Sequence, residues 1–218
     1  MIELKDVSKS YDAKTKALES LNLHLREGEI VVLKGVSGSG KSTILSLIAG
    51  LSKPTSGEII VDGKKISKLP DHFAAAYRRD NIGIVFQKYN LIPTLSVYEN
   101  VLLPLFPLNL AKEEMDKKAH SVLKKFSIEH KSDMLVKNLS GGEQQRVAIA
   151  RANINHPKII LADEPTANLD EKLSLEFIDI LRELKEKQRT IIVATHDPLF
   201  FDLDFIDRVI TVAHGKVI

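Results

Sequence analysis

Near the amino terminus apolar and polar positions alternate: Ile2 and Leu4, then Leu21, Leu23 and Leu25, and later Ile59 and Val61. A period of two marks strands with one buried face. Glu27-Gly28-Glu29 and Asp62-Gly63 supply turns, so residues 1 to about 30 and 57–66 predict an antiparallel sheet layer. A second pattern is unbroken: Ile30 to Leu33, Ile82 to Phe86, Ile159 to Ala162 and Thr190 to Thr195 are short, continuous apolar runs. Such runs suit strands covered on both faces, as in a parallel sheet. A third pattern has helical spacing. Ile44, Leu45, Leu47, Ile48 and Leu51 follow the first run, and Leu173 to Lys187 separates the last two. Met115, Ala119, Val122, Leu123 and Phe126 dominate a stretch at about 95–153 that lacks strong strand signals. The expected fold class is α/β: a parallel core, an antiparallel β subdomain and an inserted helical subdomain. No repeat, low-complexity tract or long linker divides residues 1–218, so one domain is expected.

Each core run ends in polar chemistry, and in open α/β sheets ligands bind at the carboxyl ends of the strands. Leu33 leads into Gly35-Val36-Ser37-Gly38-Ser39-Gly40-Lys41-Ser42-Thr43, which fits G-x-x-x-x-G-K-[ST] between a strand and a helix. That context predicts a bound nucleoside triphosphate. Glycines let backbone N–H groups face phosphate oxygens, Lys41 reaches the β- and γ-phosphates, and the Ser42 hydroxyl is a Mg²⁺ ligand. Phe86 leads into Gln87, Ala162 into Asp163-Glu164, and Thr195 into His196-Asp197. Asp163 is expected to help hold Mg²⁺, Glu164 to act as general base, His196 to contact the γ-phosphate and orient water, and Gln87 to reach metal or water.

Composition narrows the partners. With 44% hydrophobic residues the 218-residue chain can bury a core of its own, and a net charge of +2 implies neither nucleic acid nor an acidic membrane surface. Cysteine is absent, which excludes disulfides and thiolate metal sites. The amino terminus carries charges where a signal peptide needs an apolar core. The longest uncharged apolar-rich stretch, Asn100 to Ala111, contains Pro104 and Pro107 and falls short of the ~20 residues that span a bilayer. Any membrane association is expected to be peripheral.

Leu139-Ser140-Gly141-Gly142-Glu143-Gln144-Gln145-Arg146 reads as a capping box, since Ser140 and Glu143 fit S-x-x-E ahead of Val147, Ala148, Ile149 and Ala150. It also resembles the signature sequence of ABC-type ATPases, which share the P-loop NTPase (RecA-like) core, and the resemblance extends over essentially the entire chain. It implies that Tyr11 stacks on adenine, that Gln87 is the Q-loop glutamine, Asp163-Glu164 the Walker B end, Asn168-Leu169-Asp170 the D-loop and His196 the switch histidine. It also implies a head-to-tail homodimer holding two ATP molecules between phosphate loop and signature, with Ser140, Gly141 and Gly142 serving the other subunit's nucleotide. Integral membrane permease subunits are the implied partners, at the cytoplasmic face of a cell membrane. Leu91 to Val101 and Leu161 to Asp170 look most like the branch serving lipoprotein release and macrolide export.

Three positions depart from the family's usual pattern: Val36 where proline is frequent, Asn153 where an apolar residue is common, and His214-Gly215-Lys216 in place of a more acidic turn. The alternatives are a soluble ABC ATPase acting on DNA or ribosomes, a non-transport cell-envelope regulator, and a nucleotide-binding module without turnover. Only segment 42–139 separates Lys41 from Ser140, which leaves no room for a long coiled-coil arm. There is one set of motifs where ribosome-associated members generally have two. Glu164, His196 and Gln87 together argue for turnover. The segment Lys88 to Pro93 is expected to form one wall of a groove that accepts a short helix of a membrane subunit, with Tyr89, Leu91 and Ile92 as apolar contacts.

Overall fold

The computed structural model describes residues 1–12 and 15–218, apart from the side chain of Glu186. Positions 13 and 14 of the expected antiparallel layer lie outside the described residues. Along the chain, β1 (Ile2–Ser10) and β2 (Lys16–Leu25) precede β3 (Ile30–Lys34) and α1 (Lys41–Ile48). Next come β4 (Ser56–Val61), β5 (Lys64–Lys65), α2 (Asp71–Asn81) and β6 (Ile82–Val85). The helices α3 (Val97–Leu102), α4 (Lys112–Lys125) and α5 (Gly141–Asn153) follow with short 3₁₀ turns between them. The chain continues through β7 (Ile159–Asp163), α6 (Glu171–Glu186), β8 (Thr190–Thr195), β9 (Arg208–Ala213) and β10 (Lys216–Val217).

One sheet has the order β2-β1-β4-β5 and is antiparallel, with Ile2 opposite Leu25 on one side and Val61 on the other. The other has the order β10-β9-β3-β8-β7-β6, parallel throughout except for β10. Both faces of β3 are covered. Ile30 and Val32 pack with Leu123, Ile149 and Phe177 of the helices, while Val31 and Leu33 pack with α1 and with Ile2, Leu4 and Leu21 of the antiparallel sheet. Burying each such side chain is worth about 1.5–3 kcal/mol, so an unbroken apolar run stabilises a strand held between two layers. Cross-strand register keeps the functional ends level: Leu33 lies opposite Ala194, which also faces Asp163, and Lys34 lies opposite Thr195.

The structure departs from the expected elements at a few points. Helix α1 stops at Ile48 because Gly50 takes φ +61° and the N–H groups of Gly50 and Leu51 return to the carbonyls of Leu47 and Ser46. Leu51 is therefore outside the helix and half exposed, at 50%. Phe86 lies beyond the last residue of β6. Helix α2 fully buries only Ala74, so it carries little apolar periodicity. Asn153 sits in the core at 5% exposure and donates its Nδ2 to the Ile149 carbonyl at 2.9 Å, which satisfies that donor within its own helix.

Candidate functional site

The turn after β3 carries Gly35 to Gly40, with Val36 and Ser37 exposed at its tip and Ser39 buried. Gly40 takes φ +111°, and a Cβ there would come within 2.8 Å of the Ala17 carbonyl oxygen, so only glycine fits. The C-terminal hairpin braces the turn from outside: Gly215 N–H donates to the Ser39 carbonyl at 2.9 Å. Helix α1 then starts with no side-chain cap and no acid in its first turn. Its free N–H groups and positive end are left for an anion. The Ser39 hydroxyl is buried with no hydrogen-bond partner, and Lys41 is 5% exposed, so this cradle suits a phosphate-bearing ligand.

The lysine is held by its own loop and by the end of β7. Its ammonium donates to the carbonyls of Gly35 at 2.6 Å and Val36 at 3.2 Å and pairs with Glu164 Oε1 at 3.3 Å. Beside it the Ser42 hydroxyl donates to Asp163 Oδ1 at 2.9 Å. Adjacent strand residues face opposite ways, yet both carboxylates reach this place because Glu164 takes φ +43° while its N–H still donates to Ala194 at 2.8 Å. The second Glu164 oxygen accepts from Thr195 Oγ1 at 3.1 Å and from the His196 N–H at 3.3 Å, and His196 Nδ1 stands 3.0 Å away. Burial pushes the Glu164 carboxyl up, but His196, Lys41 and Thr195 together bring it below its ordinary value. Asp163 moves the other way, because burial and the Glu164 charge outweigh the Ser42 bond and Lys41.

Thr195 has a function the sequence reading did not assign. Fully buried, it donates to Glu164 and accepts the Asp197 N–H at 3.0 Å, while Asp197 accepts from Thr166 Oγ1 at 2.8 Å. A hydroxyl at the last position of a buried strand, just before a histidine, was the available signal. Among the described residues no group of three His, Asp or Glu side chains forms a metal cage by itself. One hydroxyl and one carboxylate, completed by phosphate oxygens and water, are the donor set that suits Mg²⁺.

The remaining candidates are distributed around this centre. Tyr11 is 60% exposed, its ring near Lys9 and its hydroxyl 3.4 Å from Thr43 Oγ1 at the start of α1. Gln87 is exposed, and its carbonyl accepts from Asn168 Nδ2 at 3.0 Å. Asp170 caps α6 by accepting the Leu173 N–H at 2.9 Å. Ser140, Gly141 and Gly142 begin α5, where Ser140 and Glu143 form the reciprocal capping box. A Cβ at Gly142 would come within 2.6 Å of Leu173, and Gln145 ties α5 to the Pro165 carbonyl at 2.8 Å. No described hydrogen bond joins Ser140, Gly141 or Gly142 to the phosphate loop, Asp163 or Glu164. These three residues are not brought into that centre within one chain.

Beyond Gln87 lies a cavity of about 280 Å³ lined by Arg78, Ile82, Phe86, Asn90 and Arg151. Arg151 of α5 donates to the carbonyls of Tyr89 and Asn90, each at 2.6 Å, and buried Asn100 binds both backbone groups of Ile92. Leu91 packs onto the core instead of into this groove, while Ile92 is 41% exposed. Of the three apolar contacts expected there, Tyr89 is buried and Leu91 is occupied by the protein's own interior, which leaves Ile92.

Residues 18–167, more than half of the chain, match the family described as ABC transporter. An ABC transporter ATP-binding protein of Methanocaldococcus jannaschii, MJ0796, is 44% identical over all of this chain and 95% of its own length. A macrolide export ATP-binding/permease protein, MacB of Hyphomonas neptunium, is 41% identical over all of this chain, which spans 34% of that larger protein. The solved dimeric, post-hydrolysis structure of MJ0796 with ADP and Pi superposes with a TM-score of 0.91, covering all of this chain and 96% of that one. Among the described residues no helix is long and apolar enough to cross a membrane.

Proposed function

We infer the function from the premise that this chain belongs to the ABC transporter family. It is the ATP-binding, ATP-hydrolysing subunit of such a transporter. We propose further that hydrolysis requires Mg²⁺, that two copies enclose ATP head to tail, and that they work against permease subunits at the cytoplasmic face of a membrane. The likeness to MacB supports an output of the macrolide-export or lipoprotein-release kind.

The observation that carries the catalytic reading is the crossed pairing at one strand end, Lys41 with Glu164 and Ser42 with Asp163. Ser42 and Asp163 would hold Mg²⁺, which supplies positive charge to phosphate oxygens when bound. Burial disfavours the charge on Asp163, so that carboxylate gains from a cation. Lys41 exchanges Glu164 for phosphate oxygens, and the carboxylate it leaves regains proton affinity. That raises the basicity of Glu164 when a water must be deprotonated. Thr195 and His196 keep its other oxygen fixed meanwhile. Tyr11 offers a ring face to adenine at the rim, and Gln87, bonded through its carbonyl to Asn168, links this centre to the groove beside Arg151.

Ser140, Gly141 and Gly142 stand apart from the phosphate loop of their own chain, which supports their use by a second copy. Mixing Lys41→Ala chains with Ser140→Arg chains tests this: each alone is expected to be inactive, and the mixture to regain ATP hydrolysis through one intact composite site. Failure to recover any activity, with both variants folded and sedimenting as mixed dimers, would overturn the assignment in trans.

A further inference from the structure

At the amino ends of the core strands, opposite the nucleotide centre, the C-termini of α4 and α5 meet the turn that follows α6. They enclose a cavity of about 240 Å³ whose walls carry five cationic side chains: Lys117, Lys118, Lys125, Lys187 and Arg189. Among the described residues no carboxylate lines the cavity and none of the five cations has an ion pair, although such pairs are frequent elsewhere on this surface. The whole chain has a net charge of only +2, so this one cavity concentrates more positive charge than the molecule retains overall.

Helix C-termini attract cations, but not on the scale found here. Each terminus offers about half a negative charge, so the three helices supply roughly −1.5 against five cations. The excess is visible at Lys125, whose ammonium is brought down to about 8 by burial and by the neighbouring Lys187, with Glu183 opposing the shift only in part. His156, also in the wall, is held below its ordinary value by burial and by Arg189, Lys118, Lys125 and Lys187. The departure from the family pattern falls here too: Asn153, with its carboxamide at the end of α5, lines the cavity.

We propose that this cavity is a second anion site, separate from the nucleotide site, for a small multivalent phosphate such as pyrophosphate or the phosphomonoester headgroup of an anionic lipid. Ammonium and guanidinium donors converge from α4 and from the turn after α6, Asn153 of α5 closes the wall between them, and a phosphate relieves the mutual repulsion. The volume matches one or two phosphate groups and is below the range for larger organic ligands, about 300–1,000 Å³.

The test uses the full chain saturated with ADP, so that the phosphate loop is filled, and titrates it with pyrophosphate by calorimetry at constant ionic strength. One additional binding event is expected, weakened at least about tenfold in the Lys125→Gln/Arg189→Gln variant. The basal ATPase rate of that variant is expected to match the parent, since neither residue touches the nucleotide centre, and its melting temperature is expected not to fall, since the substitutions remove part of the mutual repulsion. Flotation with phosphatidylcholine vesicles, with and without phosphatidic acid, distinguishes the sources: capture that depends on Lys125 and Arg189 assigns the headgroup, and pyrophosphate binding without capture assigns the free anion. The proposal is overturned if neither ligand binds, if binding survives unchanged in the double variant, or if chloride at equal ionic strength gives the same heats.

Discussion

Two helices of this protein begin on glycine-rich turns and treat their first turns in opposite ways. Helix α1 starts behind Gly40, which offers no side chain to the free N–H groups, and has no acid nearby in sequence. Helix α5 starts behind Ser140, whose hydroxyl accepts from Glu143 N–H at 3.4 Å while the Glu143 carboxylate accepts from Ser140 N–H at 2.8 Å. That bond from the Ser140 backbone holds the Glu143 carboxyl below its ordinary value. A helix N-terminus carries about half a positive charge. In α1 that charge is left for an outside anion, and in α5 the chain answers it with its own carboxylate. The first leaves a helix start open to an anion within one copy; the second is a finished helix start that, on the proposed head-to-tail pairing, an incoming phosphate has to win from Glu143.

The sharpest way to break this contrast is Lys41→Ala. Lys41 brings a full positive charge to the bare N-terminus, so turnover should fall by more than ~10³-fold and nucleotide affinity by roughly tenfold or more. Steady-state hydrolysis and nucleotide titration read both. Preserved activity would make α1 no more of an anion site than α5.

Next in size is Glu164→Gln, with turnover reduced by ~10²-fold or more and nucleotide binding retained. Its neighbour allows a sign test. The Glu164 carboxyl lies below its ordinary value in the folded protein, so its stabilising contribution is present above about pH 4.3 and is lost as pH falls through the lower folded value. Asp163 lies above its ordinary value, so its ionisation disfavours the folded state as pH rises past about 3.9. Urea midpoints without nucleotide should therefore shift in opposite directions at pH 7: Glu164→Gln loses about 1 kcal/mol, and Asp163→Asn gains stability. Both differences should vanish in acid. Shifts of the same sign would show that the two carboxylates are not held as the crossed pairing requires.

How far all this could be read from the chain follows from sequence distance. The α/β class and the two kinds of strand were legible because β1 alternates while β3, β7 and β8 are unbroken apolar runs, and each pattern is local. The positions of Asp163, Glu164 and His196 at strand ends were legible for the same reason. Their contacts were not. The Lys41–Glu164 pair depends on a left-handed residue at Glu164, and the brace from Gly215 to Ser39 joins opposite ends of the chain. Thr195 reads as one more β-branched strand residue until its hydroxyl is seen on Glu164. Edge strand β10, two residues long, is too short to carry a pattern, whereas the equally short β5 fell within the expected 57–66 layer because the Asp62-Gly63 turn marks it. Leu51 kept the helical rhythm past a glycine that ended the helix.

A smaller effect compares the glycines themselves. Gly40→Ala forces a Cβ against the Ala17 carbonyl at a φ of +111°, and should cost about 2 kcal/mol of stability. Gly141→Ala meets only the Asn168 carbonyl oxygen at 3.7 Å and the Tyr89 hydroxyl at 3.8 Å, both ordinary contacts, and should change the urea midpoint by less than ~0.5 kcal/mol. An equal cost at both positions would mean that the signature turn is built for folding as strictly as the phosphate loop.

Another small effect is the most informative about α5. Glu143→Gln keeps a side-chain oxygen for the Ser140 N–H but removes the negative charge and the ion pair with Lys131, which stands 3.3 Å from Oε1. Both partners of that pair are partly exposed, so its loss adds little, and the helix-end term sets the cost at about 0.3–1 kcal/mol. A modest drop in melting temperature is expected in the free chain. In the presence of Mg-ATP the sign should reverse, because a neutral carboxamide competes less well than a carboxylate for the N-terminus that, on the proposed head-to-tail pairing, receives the other copy's phosphate. Sedimentation in a Glu164→Gln background, where ATP is not consumed, should then show tighter association with the second substitution than without it. Weaker association would mean that Glu143 serves the complex by fixing the Ser140 hydroxyl, and that the two helix starts differ in preorganisation rather than in competition.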